Sequence, residues 1–269
     1  MAQLRHIEEI LQDLLPISSQ KHPQDWLPFF VNGSFCGFVQ ETTAKLLVKA
    51  FRFLNMQNRE LHFECPSFEV GSRRLAAVSQ ILKQEGLVRA WRDELLPVVP
   101  LQQKNPEPAF ATVERAVCRP FSLTTYAVHL NPFTKDGRLW IAQRSMKKAI
   151  GPGLWDNCAA GIVPYGEDFD TAMDREAAEE AGIVPGTFYY QLVNRHLLSR
   201  PVTEGWMQEN TIVYTAVVPD SFTPHNVDGE VAGFRLLDAD SIIEMIREKQ
   251  FTFESSLSTL IAIKSHLFA

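Results

Sequence analysis

The chain has 269 residues, 45% of them hydrophobic and 22% charged, with a net charge of -6. That composition supports one large or two modest cores and excludes a disordered chain. The mild acidity excludes a general pull towards nucleic acid or anionic membrane, so an anionic small-molecule partner has to be held by local cations or bound metal.

The first stretch, "MAQLRHIEEILQDLLPISS", reads as an amphipathic helix rather than a cleavable leader, and no run is long enough to span a membrane. Cys36, Cys65, Cys118 and Cys158 have no paired or metal-like spacing and are read as reduced thiols. Together these predict a soluble cytoplasmic protein without a zinc site. "FFVNGSFCGFV" predicts a hairpin turning at Asn32-Gly33, followed by a helix from Thr42 to about Leu54. "HFECPSF" is a short extended piece, and "GSRRLAAVSQILKQEGL" a helix stopped by Gly86. "ELLPVVP" reads as a strand entering the Pro- and Gln-containing linker "QQKNPEPAF", which places a domain boundary near 105–112 and predicts units 1–110 and 111–269.

Beyond the linker, "AVHLNPF" and "GRLWIAQRS" are strands separated by a turn at Lys135, Asp136 and Gly137, and "GPGLWDNCAAG" is a loop leading into a short strand. "TIVYTAVVP" and "EVAGFRLL" supply further strands, with helices in "DADSIIEMIREKQ" and "ESSLSTLIAIKSHLF". The interleaving predicts an α/β fold, a mixed sheet between helices, after a small α+β N-terminal domain.

One segment stands apart. In "GIVPYGEDFDTAMDREAAEEAGI", a helix lies between Asp168 and Ala181, and at roughly 100° per residue Glu176, Glu179 and Glu180 share one face. Repulsion among them makes little sense for stability alone but suits hard divalent cations, which want grouped anionic oxygens. Ala177, Ala178 and Ala181 let the opposite face sit close to a sheet. Gly161 and Gly166 turn the preceding loop, Gly182 caps the helix, and Arg175 is placed to orient a carboxylate such as Glu167. A Glu-rich solvated helix face tolerates any order of residues. Here seven fixed positions, at roughly one in fifteen each, imply a chance match on the order of one in a million.

At Gly161, Glu167, Arg175, Glu176, Glu179, Glu180 and Gly182 the sequence resembles the Nudix hydrolase family. The resemblance implies a Nudix α/β/α sandwich over about 112–269 and Mg2+- or Mn2+-dependent cleavage of a diphosphate linked to an organic group. It also implies metal binding by Glu176, Glu179 and Glu180 with the Gly161 carbonyl, and support of the loop and helix by Glu167, Arg175 and Gly182. Catalytic roles fall to Glu179 or Glu180 as base, with Glu230 of "NVDGEVAGFRLL" as a further candidate and Glu204 and Glu209 of "TEGWMQEN" as weaker ones. For the substrate, Arg144, Lys147 and Lys148 are candidate phosphate ligands, and Trp91, Trp155 and Tyr165 candidate stacking partners of an organic ring.

A finer resemblance covers nearly the whole chain. "EGLVRAWRDELLPV", "VERAVCRPFSLTTYAVHLN" and "LWIAQRSMKKAIGPGLWDNCAAG" look like the Nudix subfamily fused to, or related to, thiamine pyrophosphokinase, which carries an extra N-terminal domain. It implies hydrolysis of thiamine diphosphate, or its oxy and oxo analogues, to the monophosphate. The chain departs from that pattern at Ala90 and Ala160, where glycine is expected, and at Trp155, where a smaller apolar residue is common. ADP-ribose or NADH is the competing substrate class. An isopentenyl diphosphate isomerase would need a nucleophilic Cys where Ala160 stands and a His where Ile162 stands, with Cys158 two residues away. A non-catalytic nucleotide-binding module would usually lose one of the signature glutamates, and none is lost. Small molecules are the expected partners, not nucleic acid or membrane. Nudix proteins are frequently homodimers, though no feature here dictates one.

Overall fold

A computed structural model describes residues 2–268. The chain begins with α1 (Ala2–Ser18), whose apolar residues Ile7, Ile10, Leu11 and Leu14 face the C-terminal helices rather than the unit that follows α1 in sequence. Next come β1 (Trp26–Val31) and β2 (Ser34–Gln40), joined at Asn32 and Gly33, with φ of 49° and 79°. Two consecutive left-handed residues make the turn whose twist matches that of the paired strands.

The helix expected from Thr42 to Leu54 is shorter, α2 (Glu41–Ala50). Past it, the chain turns through Arg52 and Phe53 into β3 (Leu54–Gln57), which turns back into β4 (Glu60–Phe63) through left-handed Asn58 and Arg59. Sheet pairing outcompetes helical periodicity there. These strands form one sheet in the order β2-β1-β4-β3, with β1 parallel to β4. Ser67 caps α3 (Phe68–Gln84) by accepting the Val70 N–H.

Strand β5 (Leu95–Val98) pairs antiparallel with β6 (Ala111–Glu114), so the Pro-containing stretch read as a linker connects two strands of one ribbon. The boundary expected near 105–112 falls across the end of that connection and the start of β6. The core also runs across it: Phe29, Leu61 and Leu75 belong to the same buried cluster as Phe121, Leu123, Ala127 and Ile162.

After the short α4 (Arg115–Cys118), the second sheet is built from β7 (Thr124–Thr134), β8 (Leu139–Arg144), β9 (Trp155–Asn157), β10 (Ala159–Ile162), β11 (Gln191–Val202), β12 (Gly205–Val218) and β13 (Val231–Leu237). Its order is β11-β12-β7-β8-β13, with β10 on β7 and β9 on β8; β12 and β7 are parallel and the other pairs antiparallel. One face carries α5 (Phe169–Ala181), whose Ala172, Met173, Ala177 and Ala181 pack with Tyr126, Val128 and Leu130. The other face carries α6 (Ala239–Arg247) and α7 (Phe253–Phe268). This is the expected α/β/α sandwich with a mixed sheet after a small α+β region. Strand β11 was not expected, and β12 starts well before "TIVYTAVVP". Cys36, Cys65, Cys118 and Cys158 are free and buried. No described helix is long and apolar enough to cross a membrane.

Candidate active site

The Asp168 side chain caps α5 by accepting the Thr171 N–H at 2.8 Å, and Gly182 ends it in the left-handed region with φ 67°. A side chain at Gly182 would overlap the His225 ring as well as strain the backbone. That close approach matters because the loop 225–230 docks on the helix terminus. The N–H groups of His225, Val227 and Asp228 donate to the last carbonyls of α5, those of Ala181, Glu179 and Glu179. The loop thereby brings Asp228 and Glu230 to Glu180. Carboxylate oxygens of Glu180, Asp228 and Glu230 lie within 4.8 Å of one another, a donor set suited to a hard divalent cation.

Glu176 and Glu180 are held against strand β10 from the same side. A Cβ at Gly161 would fall inside the Glu176 carboxylate, so only glycine lets that side chain lie against the strand. Glu180 accepts the Ala160 N–H at 2.9 Å. Arg175 binds both oxygens of Glu167 at 3.1 Å, and reaches Glu176 at 2.7 Å, Glu179 at 3.3 Å and the Ile162 carbonyl at 3.1 Å. One guanidinium thus ties the loop after β10 to the acidic helix face. Glu179 is the exposed member, its side chain 48% accessible.

The site pushes its carboxyls in opposite directions. Burial raises Glu180 to about 8, with Glu176 and Asp156 adding to it and Lys148 and the Ala160 N–H opposing it. Burial also raises Glu176, against the pull of Arg175. At Glu230 burial acts upwards too, but the hydrogen bond and charge of Lys148, joined by Arg92 and Arg144, leave it below the ordinary range.

The three basic residues read as phosphate ligands separate. Lys148 pairs with Glu230 and lies 3.5 Å from Glu180. Arg144 is consumed by its own loop, donating to Asp156 at 2.6 Å and to the Ile150 carbonyl at 3.1 and 2.9 Å, so its guanidinium organises the loop rather than facing a phosphate. Lys147 is exposed.

The aromatic candidates separate as well. Trp155 is 7% exposed in the core beneath the C-terminal helices, with Arg235 over its ring at 4.8 Å. That burial removes it as a stacking surface. Trp91 carries Lys83 4.1 Å above its ring and donates to Asp93 at 2.7 Å. Tyr165 is 40% exposed, its ring 5.0 Å from Phe68 and its N–H on the Leu95 carbonyl at 2.9 Å.

Glu204 sits in the β11–β12 turn and lines a cavity of about 390 Å3 with Trp26, Arg89 and Trp206. Glu209 is buried and spoken for by Arg119 at 2.7 Å and Thr125 at 3.1 Å, and although burial pushes its carboxyl up, Arg119 holds it below the ordinary range. Neither joins the α5 cluster.

Asp228 and Arg115 were not singled out from the sequence, and Arg92 entered only as part of the stretch "EGLVRAWRDELLPV", with no role of its own. Arg92 acts on Glu230 and Arg115 on Glu176, while the Arg92 N–H donates to Glu114 at 2.9 Å and Arg115 pairs with Glu94 at 2.7 Å. The turn carrying Arg92 has Ala90 and Asp93 left-handed, φ 51° and 56°, which accounts for glycine being expected at 90. A segment of the N-terminal region therefore borders the acidic cluster.

These features agree with comparisons to known proteins. The NUDIX domain model matches residues 123–256, and a model for a domain of unknown function (DUF4743) matches residues 3–125. "Nudix hydrolase 24, chloroplastic" of Arabidopsis thaliana is 30% identical over 253 residues, covering 88% of this chain and 66% of its own length. "Nudix hydrolase 20, chloroplastic" of the same plant is 31% identical over 202 residues, covering 71% and 51%. The chain thus spans between about half and two thirds of these relatives. An isopentenyl-diphosphate Delta-isomerase of Leifsonia xyli subsp. xyli is 28% identical over 135 residues, 49% of this chain and 71% of the isomerase. The crystal structure of DR0079 from Deinococcus radiodurans superposes with a TM-score of 0.51 at 20% identity, covering 64% of this chain and 99% of that one, which is a shared fold.

Proposed function

Because the chain belongs to the Nudix superfamily, we propose that it hydrolyses the phosphoanhydride of a small organic diphosphate with a divalent cation, Mg2+ or Mn2+. The substrate we favour is thiamine diphosphate or an oxy or oxo analogue, cleaved to the monophosphate and phosphate. The observation that carries the reading is the approach of Glu176 and Glu180 to Gly161 and Ala160, with Asp228 and Glu230 brought to the same place by the loop on α5.

All of the donors here are oxygens, the ligands that hard divalent ions prefer. Glu180, Asp228 and Glu230, whose oxygens are grouped, would hold the cation, with Glu176, Glu179 and the Gly161 carbonyl as further oxygen donors. When bound, such an ion neutralises the diphosphate and acidifies a coordinated water. The chain supplies the rest. Arg175 fixes the glutamates, and Arg92, Arg115 and Lys148 provide positive charge for phosphate oxygens. Glu179, Glu180 and Glu230 are the carboxylates placed to receive a proton from attacking water. The N-terminal segment, through Arg92 with Trp91 beside it, and Tyr165 against Phe68 would read the organic half.

The isomerase alternative fails on chemistry. Ala160 and Ile162 offer no proton, and Cys158 is 0% exposed with burial raising its thiol, so it does not meet a substrate. The test is product release from thiamine diphosphate, oxythiamine diphosphate, ADP-ribose and NADH with each metal, comparing the native enzyme with Glu179→Gln and Glu180→Gln. Turnover is lost in both variants if the reading holds; unchanged turnover removes it. Preference for ADP-ribose or NADH would overturn the thiamine assignment and leave the hydrolase in place.

A further inference from the structure

The ammonium of Lys148 sits among the carboxylates that the loop 225–230 brings to α5. Its Nζ donates to Glu230 and lies 3.5 Å from Glu180. Those two and Asp228 present oxygens within 4.8 Å of one another. The Lys148 side chain is 18% accessible and that of Glu180 9%, whereas Asp228 and Glu230 are exposed, Glu230 to 47%, so the ammonium lies between one buried carboxylate and two at the rim of the site. Charges taken out of water in this way are held by their partners, and they are costly to leave alone.

The position of Lys148 follows from its loop, which joins β8 to β9. Arg144 fixes the base of the loop by gripping the Ile150 carbonyl and Asp156. The Ser145 N–H donates to the Glu230 carbonyl at 2.8 Å, and the Lys148 N–H to the Ser145 carbonyl at 3.1 Å. The backbone is thus pinned to the chain segment that carries Glu230, while the four-carbon stem of the lysine leaves its ammonium free to swing. One monovalent ammonium cannot balance three carboxylates. Arginine would make a fixed fork here; lysine makes a mobile point charge.

We propose that Lys148 is a tethered placeholder: it occupies the cation position among Glu180, Asp228 and Glu230 until a divalent ion takes those oxygens, and its freed ammonium then pairs with a phosphate oxygen of the substrate. The proposal rests on the phosphoanhydride reading above. Its consequence is coupling. Metal alone has to displace the lysine and binds less tightly than the carboxylates would allow. A phosphate group gives the displaced ammonium a new partner, so phosphate and metal strengthen each other's binding.

The test is calorimetric titration of MnCl2 into the native protein, Lys148→Met and Lys148→Gln, with and without inorganic phosphate, after circular dichroism has established that each variant is folded. Without phosphate, both variants bind Mn2+ about tenfold more tightly than the native protein, the order expected for removal of one nearby cation. Phosphate tightens Mn2+ binding to the native protein and has little effect on the variants. Equal or weaker Mn2+ binding by both variants overturns the placeholder, as does a phosphate effect that survives in them. Glu180→Gln, titrated in parallel, separates the two ideas. If it binds Mn2+ like the native protein, the metal site itself is wrong; if it loses binding while neither Lys148 variant binds more tightly than the native protein, the site stands and only the role of Lys148 falls.

Discussion

The Cα of Gly161 lies directly against the carboxylate of Glu176, with no space between strand β10 and helix α5 for even one methyl group. Gly161→Ala therefore has to push the glutamate or the strand away. Overpacking of this kind costs about 1–3 kcal/mol of stability. Because a displacement of this size misplaces a metal-binding group, kcat for diphosphate hydrolysis falls by about 100-fold. A denaturant melt and a turnover assay on the same preparation check both. Full activity would mean that Glu176 is not held where it is needed.

Glu180 makes the metal-free protein sensitive to pH. Its carboxyl has an ordinary value of 4.5 and is raised by burial to about 8 in the fold. Between those values the unfolded chain has released the proton and the native state still keeps it, so stability falls as pH rises through this window and levels off above it. Glu180→Gln removes the titration and keeps an acceptor for the Ala160 N–H. In EDTA, the variant is more stable than the native protein near pH 8, by about 1–4 kcal/mol, and the advantage disappears near pH 4.5. Thermal melts across that range, native against variant, measure it; parallel curves would contradict it.

Arg92 brings the N-terminal region to the acidic cluster, and its backbone is independently anchored through the Glu114 carboxylate at 2.9 Å. Arg92→Ala keeps that anchor and removes only the guanidinium. The expected result is a KM for the diphosphate raised by about tenfold with kcat changed much less, the worth of one charge-assisted contact to phosphate. A fall in kcat at constant KM would place Arg92 in support of Glu230 instead of on the substrate.

The local parts of the site were legible because they lie close together in one segment. Glu176, Glu179, Glu180 and Arg175 fall within two helical turns, so spacing alone puts them on one face, and the same segment contains the glycine that Glu176 needs. Asp228, Arg92 and Arg115 are ordinary charged residues in their own neighbourhoods. Only the docking of the loop 225–230 on the end of α5, and of the turn at Ala90–Asp93 beside it, gives them a role. Strand β11 escaped for a related reason. It is an edge strand bearing Asn194, Arg195, His196, Ser199 and Arg200, with a bulge between Leu192 and Asn194, so apolar alternation is broken where tertiary pairing with β12 still holds. Trp155 shows the opposite error: an aromatic residue beside a glycine-rich loop was read as a ligand platform, but packing against the C-terminal helices takes it into the core.

Asn157 joins β9 to the surrounding elements through all of its polar atoms. Its Oδ1 accepts from His129 Nδ1 at 2.8 Å and from the Ser258 hydroxyl at 2.7 Å, and its Nδ2 donates to Asn131 at 2.8 Å and to Thr259 at 2.9 Å. The residue is 1% exposed, so water cannot replace what is removed. Asn157→Leu preserves volume and strips four buried groups of a partner at once. Since each orphaned group costs about 1–3 kcal/mol and some recover by pairing with one another, the variant loses about 3–5 kcal/mol. Ser258→Ala, which leaves Oδ1 its bond from His129, loses about 1 kcal/mol. Urea melts should show lowered midpoints with unchanged slopes in both variants. The native layer between sheet and α7 is then a connected polar network whose centre is worth more than its edge; equal losses in the two variants would mean that the hydrogen bonds act as independent pairs.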